Sequence, residues 1–392
     1  MKLIASLFLA IVALCTTAAR ADAVTDWNIV SGEVIAEAKI GTPPAVRVMA
    51  IVQTAAYQAV QAATQRGANI EAALAAAHRV TLAKLLPGQQ VMVDTAYRGA
   101  LGKMADSAAK FDGIADGEKA ANAVLGTRAD DGSATPETYR PHTTAGVYVP
   151  TATPAVTQWP QRKPWLMTNA AQFRPAAPPA LTSDAWARDF NEVKAFGGRT
   201  SVRRSAEQTE VARFWDYSAP SIYYALVRSV ASQPGRDIVR NARLFAAVAQ
   251  AMDDGLIAVF DAKYHYKLWR PVTAIRNADL DGNETTVTDA GWTPLIDVPL
   301  HPEYPSAHSV LASALGTVLG AEIGAGPMPM LETSSPTAKG ATRRYASVEA
   351  LVQEVGDARI WGGIHYRTAT DIGARMGRQV GDLATAWLRA AP

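Results

Sequence analysis

Hydrophobic residues recur along most of this chain at spacings of three and four, the period of helices that bury one side. Residues 43–64, "PPAVRVMAIVQTAAYQAVQAAT", open with two prolines suited to a first helical turn and continue with Ala, Val, Ile and Met at that spacing. Residues 69–86 and 88–110 continue the Ala-rich pattern, so the N-terminal third is expected to be all-helical. From about Asp130 to Ser183 the pattern gives way to "PETYRPHTTAGVYVPTATPAVTQWPQRKPW" and "FRPAAPPALT", too rich in proline for regular structure. Such a segment is either a long surface excursion, a lid or dimer arm among the options, or the seam between two helical layers. Helical spacing returns at Asp184, again over Arg203–Trp215, and most strongly over Asp237–Trp269. No stretch alternates apolar and polar residues long enough to predict a sheet, and no solenoid-period repeat is present. The expected fold class is all-α.

The opening "MKLIASLFLAIVALCTTAARADA" combines a lysine, an apolar run from Leu3 to Leu14 and small residues ending in Ala19-Arg20-Ala21. This is the pattern of a signal peptide cut near Ala21, and it predicts a secreted or periplasmic protein. The run is shorter than the roughly 20 residues of a membrane span. Cys15 is the only cysteine, so a processed chain has none, and its stability must come from core burial. The formal charge of +2 falls to about zero once Lys2 and Arg20 are set aside, which argues against nucleic acid or an anionic membrane as partner. The expected organisation is a signal peptide (1–21), an N-terminal helical region (22–129), the proline-rich excursion (130–183) and a helical core (184–392). The N-terminal helices and the core are expected to pack as one compact domain.

Three polar clusters depart from the pattern. Within 237–269, Leu244, Val248, Met252, Leu256, Val259 and Phe260 step along one face, and Lys263 takes the next position. A lysine pointing into a core must find an anion or lose its proton. Arg270 follows seven residues on, two turns along the same face and ~10 Å away. The bland alternatives are a Lys263 that reaches the surface along its stem and an Arg270 that complements the helix dipole. Next comes "HPEYPSAH" (301–308), in which Pro305 can open an apolar helix with Ser306, Ala307 and His308 in its first turn. Free N–H groups and the positive dipole end make that turn an anion site. His308 could equally cap the helix or bond a carboxylate such as Glu303, and His301 is expected to shape the turn. Finally, in "DARIWGGIHYRTATDIGARMGRQVGDL", Gly362-Gly363 lets Arg359 at the end of one helix and His365 at the start of the next face one pocket. Arg367, Arg375 and Arg378 read as helix-surface charges.

In this order the clusters resemble the signature KxxxxxxRP, PSGH, SRxxxxxHxxxD. It belongs to the superfamily of type 2 phosphatidic acid phosphatases, bacterial acid phosphatases and vanadium-dependent haloperoxidases. Lys263 through Arg270-Pro271, Pro305-Ser306-Ala307-His308, and Arg359 with His365 carry the match. The flanking text "RLFAAVAQAMDDGLIAVFDAKYHYKLWRPVTAIR" is similar to the secreted bacterial haloperoxidase-like branch. Ala307 replaces the signature's glycine, Ala358 its serine, and Ala369 stands where the histidine's aspartate partner belongs, with Asp371 on another helical face. The orienting partner of His365 is left open.

The resemblance implies an α-helical bundle holding one oxyanion pocket. Lys263, Arg270, Ser306, the Ala307 N–H and Arg359 would bind vanadate or phosphate. His365 would sit axially, as vanadium's protein ligand or as the nucleophile that becomes phosphohistidine, and His308 would be the acid/base. Three cations suffice to neutralise such an anion, and arginine's fork binds two oxygens at once. The favoured expectation is a vanadium haloperoxidase-like enzyme using vanadate as cofactor, with halide and hydrogen peroxide as substrates. A secreted acid phosphatase acting on phosphomonoesters needs no cofactor and is the alternative; a catalytically silent oxyanion-binding protein is the third. A homodimer is compatible with each.

Overall fold

The structure is a computed structural model and describes residues 22–390. The signal-peptide segment falls outside the described residues. The N-terminal region folds as α1 (Ala23–Glu37), α2 (Thr42–Arg66), α3 (Ile70–Leu85), α4 (Gln90–Leu101) and α5 (Ala108–Thr127). The Ala-rich stretch 88–110 holds α4 and the first residues of α5. The chain leaves α4 at Gly102, and the Ser107 hydroxyl restarts it by accepting from Lys110 N–H at 3.2 Å.

The remainder contributes α6 (Asp184–Gly197), α7 (Ala206–Phe214), α8 (Pro220–Ala231), α9 (Ile238–Tyr266), α10 (Pro271–Arg276), α11 (Ala307–Ile323), α12 (Val348–Trp361) and α13 (Arg367–Ala390). The fold is all-α, as the periodicity predicts. One addition is a hairpin, β1 (Leu331–Ser335) and β2 (Ala341–Tyr345), antiparallel with Leu331 opposite Tyr345. In β1 burial alternates while hydropathy does not: buried Thr333 and Ser335 each give a hydroxyl proton to a main-chain carbonyl, of Ile222 and Phe214, at 2.7 Å.

The central element is α9. Almost all of its side chains from Asn241 to Lys263 are buried, so it is wrapped on every side rather than along one stripe. α2, α11 and α13 pack against it, and α1, α8 and α12 join the same apolar cluster. α13 lies close against the start of α11 because Gly373 lacks a side chain: a Cβ there would fall 2.6 Å from the Ser306 carbonyl oxygen. A second apolar cluster, including Trp186, Phe190, Trp269, Tyr304 and Tyr366, sits under the turn that carries His365.

Residues 130–183 contain no α-helix among them, yet they are firmly pinned. The chain lies along α9 as a strap. Arg162 forks onto Asp253 at 2.5 and 3.0 Å, and the N–H groups of Trp165, Leu166 and Met167 donate to the Asp254 carboxylate at 2.7–3.0 Å. Further on, Arg174 grips Asp261 with two bonds of 2.7 Å. Among the described residues, no helix is long and apolar enough to cross a membrane.

Candidate functional site

Lys263 is fully buried in the last turn of α9, where its stripe places it. Its ammonium donates to two carbonyls, Pro302 at 3.0 Å and Glu303 at 2.8 Å, rather than to an anion. Burial drives its pKa well below the ordinary lysine value, with repulsion from Arg270 adding to the shift. Arg270 does not continue that helical face. Lys267 takes a left-handed conformation (φ 54°) that ends α9, and Arg270 becomes the N-cap residue of α10. From there its Nε donates to His301 O at 2.9 Å and Nη1 to Ile364 O at 2.9 Å, while Nη2 meets His301 Nδ1 at 2.9 Å. Nη1 also lies 3.4 Å from His365 Nε2.

The "HPEYPSAH" segment threads between these cations. α11 begins at Ala307, not at Pro305, with Ser306 as N-cap. The Ser306 hydroxyl accepts from Ser309 N–H at 3.4 Å, and Ser306 N–H donates to Ala369 O at 3.0 Å. Ala307 and His308 supply the free donors of a helix's first turn, and both line a cavity of about 290 Å³. His308 is half-buried, and its Nε2 is enclosed without a hydrogen-bond partner among the described residues. Burial and Arg359 push its pKa well below the usual value, so the ring rests neutral. His301 does more than shape the turn. It lines the same cavity, packs edge-on against Phe260 at 5.0 Å between ring centres, and holds Arg270 through both its ring and its carbonyl.

Arg359, in the last turn of α12, is 1% exposed. Its Nη1 donates to Trp215 O, and its Nε is buried with no acceptor among the described residues. Burial lowers its pKa to about 10 against the pull of Asp216. His365 follows across Gly362-Gly363. Gly363 has φ +79°, and a Cβ on it would fall 2.4 Å from Gly197 O, so the turn rests directly on the end of α6. The histidine is 2% exposed, and burial followed by Arg270, Lys263 and Arg359 pushes its pKa well below the usual value.

The orienting partner of His365, left open by Ala369, is Glu303. Its Oε1 meets His365 Nδ1 at 2.7 Å and accepts from Tyr366 N–H at 3.0 Å. Glu303 is therefore bound to His365 and not to His308, the pairing weighed from sequence. Burial raises its pKa to about 7, opposed by Lys263 and Arg270. His365 Nε2, the other ring nitrogen, faces Arg270 Nη1.

His301, Ala307, His308, Arg359 and His365 all face the cavity, joined by the apolar side chains of Leu256, Phe260 and Leu311 and by Asp216. Lys263 and Arg270 stand directly behind this wall, and Ser306 serves as a cap. Two of the three arginines assigned to the helix surface, Arg375 and Arg378, are exposed. Arg367 instead clamps helices, pairing with Glu192 at 2.7 Å and with Asp357.

Residues 243–391 match the sequence model of the family described as VCPO second helical-bundle domain. The vanadium chloroperoxidase of Curvularia inaequalis is 29% identical over 174 residues, which cover 36% of this chain and 28% of that protein's length. In sequence, part of the chain is thus similar to vanadium chloroperoxidase. Its fold is that of two bacterial vanadium-dependent haloperoxidases almost end to end. A bacterial vanadium-dependent iodoperoxidase superposes with a TM-score of 0.77 at 24% identity, covering 92% of this chain and 96% of its own. A bacterial vanadium-dependent chloroperoxidase in its holo form gives 0.69 at 18% identity, with 90% and 93% covered. Relative to the superfamily's signature, this chain moves the histidine's carboxylate from α13 to the segment before α11.

Proposed function

We propose that this protein is a vanadium haloperoxidase-like enzyme that holds vanadate in the pocket of Lys263, Arg270, Arg359 and His365 and oxidises halide with hydrogen peroxide. The observation that carries the reading is an uncompensated buried positive charge. Lys263, Arg270 and Arg359 are 0–1% exposed and satisfied mainly by carbonyl oxygens, while Arg359 Nε and His308 Nε2 are buried without partners among the described residues. Such a donor set is costly in an apolar interior unless an anion completes it. A tetrahedral or trigonal-bipyramidal oxyanion fits that set, with Ala307 N–H at the helix start as a further donor.

On this reading Lys263, Arg270 and Arg359 would hold the oxyanion's oxygens, and His365 Nε2 would be the nitrogen that the group meets. Bound vanadate supplies a Lewis-acidic centre that activates hydrogen peroxide toward halide. His308, neutral at rest beside Arg359, takes and returns a proton at its ring nitrogen. Arriving negative charge would also favour the charged form of Lys263 against the pull of burial. The signal-peptide reading of residues 1–21 puts this chemistry in the periplasm or outside the cell.

A secreted phosphatase is the second reading, favoured by the apolar wall of Leu256, Phe260 and Leu311, which suits the organic part of a phosphomonoester. His365 Nε2 would then attack phosphorus and His308 would protonate the leaving oxygen. Purified protein assayed with vanadate, peroxide and bromide, and in parallel with a phosphomonoester, decides between them. Bromination is the expected result. Phosphate release without bromination would overturn it in favour of the phosphatase, and phosphate binding with neither activity in favour of a silent oxyanion-binding protein. His365→Ala should abolish turnover in either enzyme.

A further inference from the structure

We infer that Glu303 is the positioning residue of His365: it fixes the ring as the Nδ1–H tautomer and ties that ring to Lys263 through one peptide unit. The inference rests on the reading of His365 as the axial group. Its ground is connectivity. The Glu303 carboxylate lies 2.7 Å from His365 Nδ1 and accepts from Tyr366 N–H at 3.0 Å, so it holds both the ring and the backbone beside it. The carbonyl of the same residue accepts from Lys263 Nζ at 2.8 Å, and its N–H donates to Leu268 O at 2.9 Å. Glu303 is 0% exposed, so water does not compete for these bonds.

The tautomer follows from donor and acceptor inventory. A carboxylate with Oε1 shared by a main-chain N–H accepts from the ring, which puts the proton on Nδ1. Nε2 then keeps its lone pair, 3.4 Å from Arg270 Nη1, a group that can only donate. The opposite tautomer would set a ring N–H against a guanidinium N–H and a bare ring nitrogen against a carboxylate. On α13 the neighbouring position cannot do this work: Ala369 is 0% exposed, has no polar side chain, and gives its carbonyl to Ser306 N–H. One short segment before α11 therefore orients the axial histidine, holds the lysine and opens the helix whose first turn carries His308.

The test is nitrogen-15 NMR of the histidine rings in protein free of vanadate, joined to calorimetric titration with inorganic phosphate and with vanadate. Wild-type protein should show His365 as the Nδ1–H form alone. Glu303→Leu, close in size and unable to accept, should mix the tautomers and weaken oxyanion binding by roughly 10- to 100-fold. Glu303→Gln keeps an acceptor oxygen; it should preserve the tautomer and recover most of that affinity while remaining folded by circular dichroism. Adding Ala369→Asp to Glu303→Leu should return the ring to the Nδ1–H form. A Glu303→Leu protein that keeps a pure Nδ1–H ring, or a Glu303→Gln protein that loses it while folded, overturns the inference. If wild type holds the tautomer but neither brominates nor releases phosphate, the functional reading fails and the role of Glu303 stands.

Discussion

Two buried charge clusters lie along α9, about 15 Å apart at 1.5 Å per residue, and they are built on opposite principles. At Asp253 cations meet carboxylates: Arg162 bridges Asp253 and Asp131, Arg47 also binds Asp131 at 2.8 Å, and Arg128 stacks 3.4 Å over the Trp165 ring, while Asp254 beside it takes three main-chain N–H groups. At Lys263 the cations meet carbonyls, and the buried carboxylate beside them, Glu303, is committed to a histidine. The first cluster cancels its charge and fastens the strap. The second keeps a positive excess next to a cavity, at the expense of three depressed pKa values. Ionised side chains in one interior can thus be sorted into fastening and binding roles by asking whether their charge is already balanced.

Substitutions should respond with opposite signs. Asp253→Asn leaves Arg162 half-compensated in a dry interior and should destabilise the protein by about 3–5 kcal/mol in urea unfolding. The surviving folded fraction should bind oxyanion normally. Arg359→Met should do the reverse. Phosphate or vanadate affinity should fall by roughly 10- to 100-fold, the worth of a charge-assisted hydrogen bond at about 1.5–3 kcal/mol, while unfolding shifts by less than about 1 kcal/mol. Collapse of the Arg359→Met fold would show that this cation fastens after all.

The fastening cluster also has a pH signature. Burial raises Asp254 to about 6 despite three N–H donors. A carboxyl whose folded pKa lies above its unfolded value contributes stability that is complete below about 4 and lost as pH rises through about 6. Relative to Asp254→Asn, the wild type should therefore gain up to about 3 kcal/mol between pH 7 and pH 4, read from urea midpoints across that range. A flat difference would remove Asp254 from this account.

The smallest effect is expected at Asp216, the carboxylate on the cavity beside Arg359. Asp216→Asn should raise oxyanion affinity by roughly fivefold at low salt and less at high salt, because the group is partly solvated and screened. An unchanged affinity at 10–20 mM salt, on the order of a long Debye length, would mean that Asp216 does not contribute to the field of the pocket.

Local periodicity carried much of this structure. The stripe from Leu244 to Phe260 pointed Lys263 inward, and the Gly-Gly break brought Arg359 and His365 to one cavity. Where reading from sequence stopped, the deciding contact was tertiary or the backbone signal weak. Lys267 is a non-glycine residue in a left-handed conformation, so nothing in its letter announces that α9 ends before Arg270. Glu303 and His365 are 62 residues apart, and pairing at that range depends on how α11 and α13 meet. Composition spoke for the backbone of 130–183 but not for Trp165, Leu166 and Met167, whose N–H groups find Asp254 only in the folded chain. The hairpin escaped because two of its three inward residues in β1 are Thr333 and Ser335.

The contact of Gly197 with Gly363 has a consequence for how variants are interpreted. A Cβ on Gly197 would lie 2.4 Å from the Cα of Gly363, so the height of the His365 turn is gauged against a helix that contributes no reactive group. A methyl added there would force one of the two backbones to move and shift the His365 turn, while every side chain of the pocket kept its identity. In a screen such a lesion would be scored as catalytic and mapped to the wrong helix.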